Sequence, residues 1–406
     1  MPMHNRRDPT ELYWRLSSLS NSKAEAQRLE EDLFHSIVEA EEAILGSKKI
    51  GNKALESQER HRRALLKRIA DGLAWKYFAS RDRFAVKIFA IHPAPGFIAG
   101  KKGVPAEREV LEDLRQLDEI DFVIQNDITN ILRSGDLTYC AGPIVEQIEI
   151  KSGGPKSFAT DRAKRQTERR DAIANYRLTG VTEHDSLMPN DAKEDVLRRA
   201  ASIQSSLGLA NPPQPSLGPR SHTSIPGERS YHWQAIGDVL REAKARGRSW
   251  QVVDRGVILI GWSGMDRKEA FILSMSEIVE RSGWIAPNIM FGLLSEQFQP
   301  LENEILRFTM PITAFEVEAG AVAGLIEGAS DCCVIVDTNV VAKLFAERGY
   351  KAECDGGNWT VSSNGDWVMQ LGLNPWNEVL YALETLPSFV DACVKVFEVE
   401  TVANNP

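Results

Sequence analysis

Between residues 22 and 45 apolar positions recur every three or four residues in a segment rich in Ala, Glu and Leu, with no Pro or Gly inside it. That pattern predicts a long amphipathic helix. A second helix is predicted over residues 56–78, followed by an apolar stretch at 84–91 and the Gly/Pro-rich loop HPAPGFIAGKKGVP. Two lysines among glycines raise the possibility of a phosphate cradle. Lys102 is followed by Gly103, however, where a phosphate-binding loop has Ser or Thr, so that reading is rejected. Pro105 suits the first turn of a helix. The helix predicted over 105–117 places Val110, Leu111, Leu114 and Leu117 on one face, which Glu107 shares. Strands are expected at 121–128 and 136–140, and Ala141-Gly142-Pro143 turns the chain into a third at 144–151. A polar, basic helix is predicted at 160–176.

Residues 211–226 contain Pro212, Pro213, Pro215, Pro219 and Pro226, which reads as a linker or long irregular loop. Beyond it a helix is expected at 234–245 and a strand at 251–262, and the continuing alternation predicts a mixed α/β domain. The expected organisation is a helical region at 1–83, an α/β core at 84–200, a Pro-rich linker at 201–230 and a separate mixed α/β domain at 231–406.

Composition narrows the class. The 406 residues are 43% hydrophobic and 26% charged, which supports a packed core and excludes a mainly disordered or collagen-like chain. No apolar run reaches the roughly 18 residues needed to span a bilayer. Residues 1–19 lack the apolar core of a signal peptide. The five cysteines form no CxxC pair, so a cytoplasmic, thiol-reduced protein is expected, with no membrane partner. A net charge of −9 argues against a uniformly basic nucleic-acid coat. Basic residues nevertheless gather at 60–83 and again at 151–170, the second stretch including Lys151, Lys156, Arg169 and Arg170.

The chemistry lies in Gly135-Asp136-Leu137 through Glu149-Ile150-Lys151. In a hairpin turning at Gly142-Pro143 the numbers of paired residues sum to 285, so Asp136 faces Glu149. Opposed Cβ atoms in such a pair stand roughly 4.5–5.5 Å apart. Lys151 emerges on the same strand face as Glu149, while Ile148 and Ile150 point to the core. Two adjacent carboxylates repel each other unless a cation lies between them, and oxygen ligands of this kind select Mg²⁺ or Mn²⁺. Such an ion polarises a phosphoryl oxygen and activates water, and a neighbouring lysine stabilises the developing charge. The pattern suits metal-assisted phosphodiester hydrolysis.

The Asp136…Glu149-Ile150-Lys151 arrangement, followed by a basic helix, resembles the PD-(D/E)XK nuclease superfamily over roughly residues 105–176, and within it the restriction-endonuclease-like enzymes. The resemblance implies an α/β restriction-endonuclease-like core, a central mixed sheet flanked by helices. It implies Asp136 and Glu149 as metal ligands for Mg²⁺ or Mn²⁺ and Lys151 as the catalytic lysine. Glu107 matches the acidic residue that the superfamily's preceding core helix often supplies. Gln166, with Arg169 or Arg170, matches the Gln or basic residue often found in the helix after the ExK strand. Gln166, Arg169, Arg170 and Lys156 are therefore expected to meet backbone phosphates. Two departures stand out. Gly135 replaces the proline of the family name, and no QxxxY motif is present, which weakens assignment to the RecB-like branch.

The expected function is a metal-dependent endonuclease acting on DNA ahead of RNA. By analogy alone it would serve bacterial defence against foreign DNA. The C-terminal domain would recognise a target, bind an activating ligand or protein, or mediate homo-oligomer assembly. The competing expectation is a catalytically silent nuclease-like scaffold that binds nucleic acid or protein.

Residues 332–341 (CCVIVDTNVV) resemble the opening strand of PIN-type ribonucleases, whose later acidic residues would fall to Glu378 and Asp391. Only 69 residues follow Asp337 in a chain of 406, too few for a complete domain. A buried strand ending in a polar turn is expected instead. The seven histidines are scattered, with no zinc-like spacing, and most of the tryptophans gathered in the C-terminal part are expected in the core.

Overall fold

The computed structural model describes residues 7–148, 150, 230–298 and 309–403, apart from 21, 80, 82–85, 87–89, 91–95, 134, 143, 283–287, 316, 356–357, 364–367 and 372. The described parts of Met1–Ser152 and Gly227–Phe397 belong to one compact unit. It is a mixed α/β structure of helices and antiparallel sheets. Among the described residues, no helix is long and apolar enough to cross a membrane.

Helices α1 (Pro9–Ser17), α2 (Lys23–Lys49) and α3 (Lys53–Ala74) lead the chain. Ser22 caps α2 by accepting from the N–H of Glu25, and Asn52 caps α3 by accepting from Leu55. The buried face of α2 runs Ala26, Leu29, Leu33, Ile37, Ala40 and Ile44, the helical repeat seen in the sequence. From Leu65 to Ala74 every residue of α3 is buried, including Lys67, Arg68 and Asp71. That half of α3 is a central strut. The basic residues at 60–68 that the structure describes are paired or buried. Arg60 pairs with Glu56, Arg62 with Glu39 and Glu59, and Arg63 with Glu41.

Helix α4 (Val104–Arg115) packs on a three-stranded sheet ordered β1-β2-β3, where β1 is Phe122–Gln125, β2 Leu137–Ala141 and β3 Ile144–Ile148. Leu111, Ile120, Val123 and Leu137 form its core, with Val110, Leu114 and Ile148 against them, whereas Leu117, expected on the same face, is exposed because the helix ends at Arg115. The β2–β3 register runs from Leu137↔Ile148 to Ala141↔Ile144, keeping the predicted sum of 285. The strand expected over 121–128 is shorter. It ends at Gln125, and Asn126–Ile128 form a 3₁₀ turn. A mixed sheet was expected, yet every strand pairing among the described residues is antiparallel. In this sheet the connections are too short for the crossover that parallel strands require.

In the C-terminal part, α5 (Trp233–Arg246) precedes β4 (Arg248–Asp254) and β5 (Val257–Ser263). The single strand expected at 251–262 is thus a hairpin, because Arg255-Gly256 turns the chain. With α6 (Arg267–Ser282), β6 (Ile289–Leu293), α7 (Ala319–Ile326) and β7 (Ser330–Asp337) a four-stranded sheet forms in the order β4-β5-β7-β6. Its central strands β5 and β7 are the most apolar, as their burial requires. Helix α8 (Thr338–Ala346) follows. A small sheet of β8 (Lys351–Asp355), β9 (Asn358–Ser362) and β10 (Val368–Leu371), then α9 (Leu373–Leu380) and α10 (Leu386–Ala403), complete the order. Trp359 and Trp376 are buried against each other, the core role expected of them.

The run at 332–341 is a buried strand, as expected, but it leads into α8 rather than a polar turn. Asp337 caps that helix, accepting from the N–H of Asn339 at 2.9 Å, and Asp391 pairs with Arg348.

Candidate functional site: an acidic cluster around Lys101

Glu107 occupies the first turn of α4 and is only 3% exposed, so its inward phase is as predicted. Its Oε2 accepts from Gln125 Nε2 at 2.7 Å, at the end of β1. The outer face of the same helix is clamped to α2. Arg108 and Arg115 both reach the fully buried Glu30, and Glu30 also accepts from the N–H of Gln125. Helix, strand and acidic side chain are therefore held by one polar network.

Asp136 enters β2. Its N–H donates to the carbonyl of Ile148 at 2.7 Å, and its own carbonyl accepts from the N–H of Asn126 at 2.9 Å. Its carboxylate accepts from the N–H of Ile150. The residue before it must be glycine. Gly135 has φ +69°, and a Cβ there would lie 2.9 Å from the Ile148 carbonyl oxygen. That backbone demand accounts for the glycine at position 135.

The sequence left two members of the cluster unassigned. Asp127 lies in the 3₁₀ turn after β1, and Lys101 lies in the glycine-rich loop before α4. The Lys101 ammonium is 2.6 Å from Asp127 Oδ2, 3.2 Å from Glu107 Oε1 and 3.9 Å from Asp136 Oδ1. Three carboxylates from a helix, a turn and a strand thus converge on one cation. Burial opposes the charge on Lys101, but its hydrogen bond to Asp127 and the charges of Asp127 and Glu107 outweigh this, and its pKa lies above the ordinary lysine value. Burial, reinforced by Asp136 and Asp127 against the pull of Lys101, raises the Glu107 carboxyl above its ordinary value.

A signal for Asp127 existed in the polar Gln125-Asn126-Asp127 step that interrupts the apolar run of β1. In the sequence Lys101 reads only as a lysine of the glycine-rich loop. Of the residues assigned from sequence, the structure brings Glu107 and Asp136 together. Glu149, Lys151, Lys156, Gln166, Arg169 and Arg170 lie outside the described residues.

The donor set around this point is anionic oxygen throughout, the chemistry that suits Mg²⁺ or Mn²⁺. Among the described residues, no group of three or more His, Cys, Asp or Glu stands in a metal-holding arrangement, the three carboxylates being spaced around the lysine. Compared with protein-family models, curated proteins and solved structures, the chain gives no match.

Proposed function

We propose that the chain is a Mg²⁺- or Mn²⁺-dependent nuclease of PD-(D/E)XK type, a cytoplasmic enzyme that hydrolyses phosphodiester bonds of DNA. One observation carries the reading. At the mouth of a hairpin whose described register matches the one the motif requires, the backbone fixes Asp136 beside an inward-facing Glu107 from the preceding helix. Asp136 and Glu107, with Asp127 and the motif residue Glu149, would hold the ion. When bound it polarises a phosphoryl oxygen and eases deprotonation of water. The protein's own part is to fix the carboxylates and exclude alternatives. Gln125 orients Glu107, the Ile150 N–H orients Asp136, and Lys151 supplies the positive charge for the phosphorane-like transition state. Gln166, Arg169, Arg170 and Lys156 would track the strand through its phosphates, making binding salt-dependent.

The test is cleavage of plasmid and linear DNA, with RNA in parallel, by wild type, Lys151→Ala and Asp136→Asn in Mg²⁺, Mn²⁺ or EDTA. Cleavage that needs metal and is lost in both variants is the expected result. Undiminished cleavage by Lys151→Ala would place the chemistry elsewhere. Metal binding without cleavage of any substrate would favour the silent scaffold.

A further inference from the structure

Lys101 lies among the three carboxylates that the proposed ion would need, and the structure separates what holds its backbone from what holds its side chain. The loop is anchored by α2, because the N–H groups of Ile98 and Ala99 donate to Glu41 Oε2 at 2.6 and 2.9 Å. The side chain is 38% exposed, so solvent reaches it within the assembled cluster. Two of the three carboxylates are oriented independently of it, Glu107 by Gln125 and Asp136 by the Ile150 N–H. Without a cation the three would repel one another, which gives the ammonium a clear role in the metal-free protein. A divalent ion carries twice the charge at the same point and serves that role better.

We propose that Lys101 is a tethered counter-ion that keeps the metal-free site assembled and is displaced by the divalent metal. The inference rests on the metal-dependent nuclease reading. After displacement the ammonium stays within the length of its own side chain of the site. On the proposed reading the four carboxylates, a divalent ion, Lys101 and Lys151 then sum to zero charge, so an incoming phosphodiester is not repelled.

The experiment uses the full chain and Mn²⁺ as probe. Mn²⁺ affinity is measured by calorimetry for wild type, Lys101→Met and Asp136→Asn, and metal-free melting is recorded for each. Separately, wild type is treated with acetic anhydride with and without Mg²⁺, and acetylation of Lys101 is read by mass spectrometry. Displacement predicts that Lys101→Met melts lower without metal yet binds Mn²⁺ at least about tenfold more tightly, since a competing charge is gone. It also predicts that Mg²⁺ raises Lys101 acetylation at least about threefold in wild type, because ion-paired lysines are shielded. If wild type binds Mn²⁺, Asp136→Asn does not, and Lys101→Met binds no more tightly, displacement is overturned while the nuclease reading stands. If wild type binds no Mn²⁺, the nuclease reading fails and displacement fails with it. Should Lys101→Met not fold, acetylation of wild type decides alone, and unchanged labelling overturns the proposal.

Discussion

At the scale of single residues, the unusual expense of this region is burial of charge. Lys67 lies inside α3 with its ammonium 3.4 Å from the carbonyl of Thr129, two residues beyond Asp127. Burial, with the nearby Arg63, pushes its pKa from 10.5 down to about 7, against the opposing pull of Glu41, Asp127 and Asp71. The sign of the consequence follows from proton counting. Below pH 7 both folded and unfolded chains hold the proton, and the cost of burying it is fully present. Between about 7 and 10.5 the unfolded chain holds more protons than the folded one, so stability rises with pH. The slope from this group approaches about 1.4 kcal/mol per pH unit inside the window. Urea denaturation from pH 6.5 to pH 9.5 should therefore show wild type gaining on Lys67→Met as pH rises. Parallel curves would mean that Lys67 stays charged throughout.

At the scale of elements, the position of α4 decides whether Glu107 meets the sheet, and ion pairs of very different worth dock it. Glu30 is fully buried and receives both Arg108 and Arg115, while Glu112, which also pairs with Arg115, is half exposed. Removing Glu30 leaves two largely buried arginines with only the more exposed Glu31 and Glu112 as partners, a loss of up to about 3–5 kcal/mol. Removing Glu112 should cost under about 1 kcal/mol. Comparable losses for Glu30→Ala and Glu112→Ala in chemical denaturation would show that α4 is docked by its apolar face alone. The elements themselves were largely legible. Apolar spacing gave α2, α3 and α4, and the Gly142-Pro143 turn gave the β2–β3 register. Two strands were misjudged for local reasons. An apolar run hid the Gly256 turn between β4 and β5, and Ile128 disguised a 3₁₀ turn as the end of β1. Half of the cluster was legible too. Glu107 and Asp136 follow from helical phase and hairpin register, whereas Lys101 and Asp127 reach it through loops, where spacing carries no positional information.

At the scale of the whole molecule, segments far apart in sequence share a polar, buried seam along α3. The Thr313 hydroxyl donates to the carbonyl of Arg68 at 2.8 Å, and Arg68 reaches both Asp71 and Gln297. Gln297 in turn accepts from the N–H of Ile312 and donates to the carbonyl of Tyr381. On its other side Asp71 accepts from the N–H groups of Asn130 and Ile131, just beyond the turn that carries Asp127. No periodicity announces such a seam, because each of its residues reads locally as an ordinary polar position on a helix or loop. Its tightest point is Gly72. A Cβ there would stand 2.5 Å from Thr313 Oγ1 and 2.9 Å from Leu16 Cδ2, closer than packed atoms tolerate. Alanine in a helix interior is otherwise favoured over glycine by about 1 kcal/mol. Overpacking should reverse that sign, and Gly72→Ala should lose about 1–3 kcal/mol. Removing the obstructing oxygen should restore part of it, so Gly72→Ala with Thr313→Ala should lose less than the sum of the two single variants. Because Asp71 also holds the backbone leading from Asp127, Gly72→Ala should weaken Mn²⁺ binding as well as stability. A stabilised Gly72→Ala with unchanged Mn²⁺ affinity would show that α3 and the Thr313 turn do not meet this closely, and the seam would lose its link to the site.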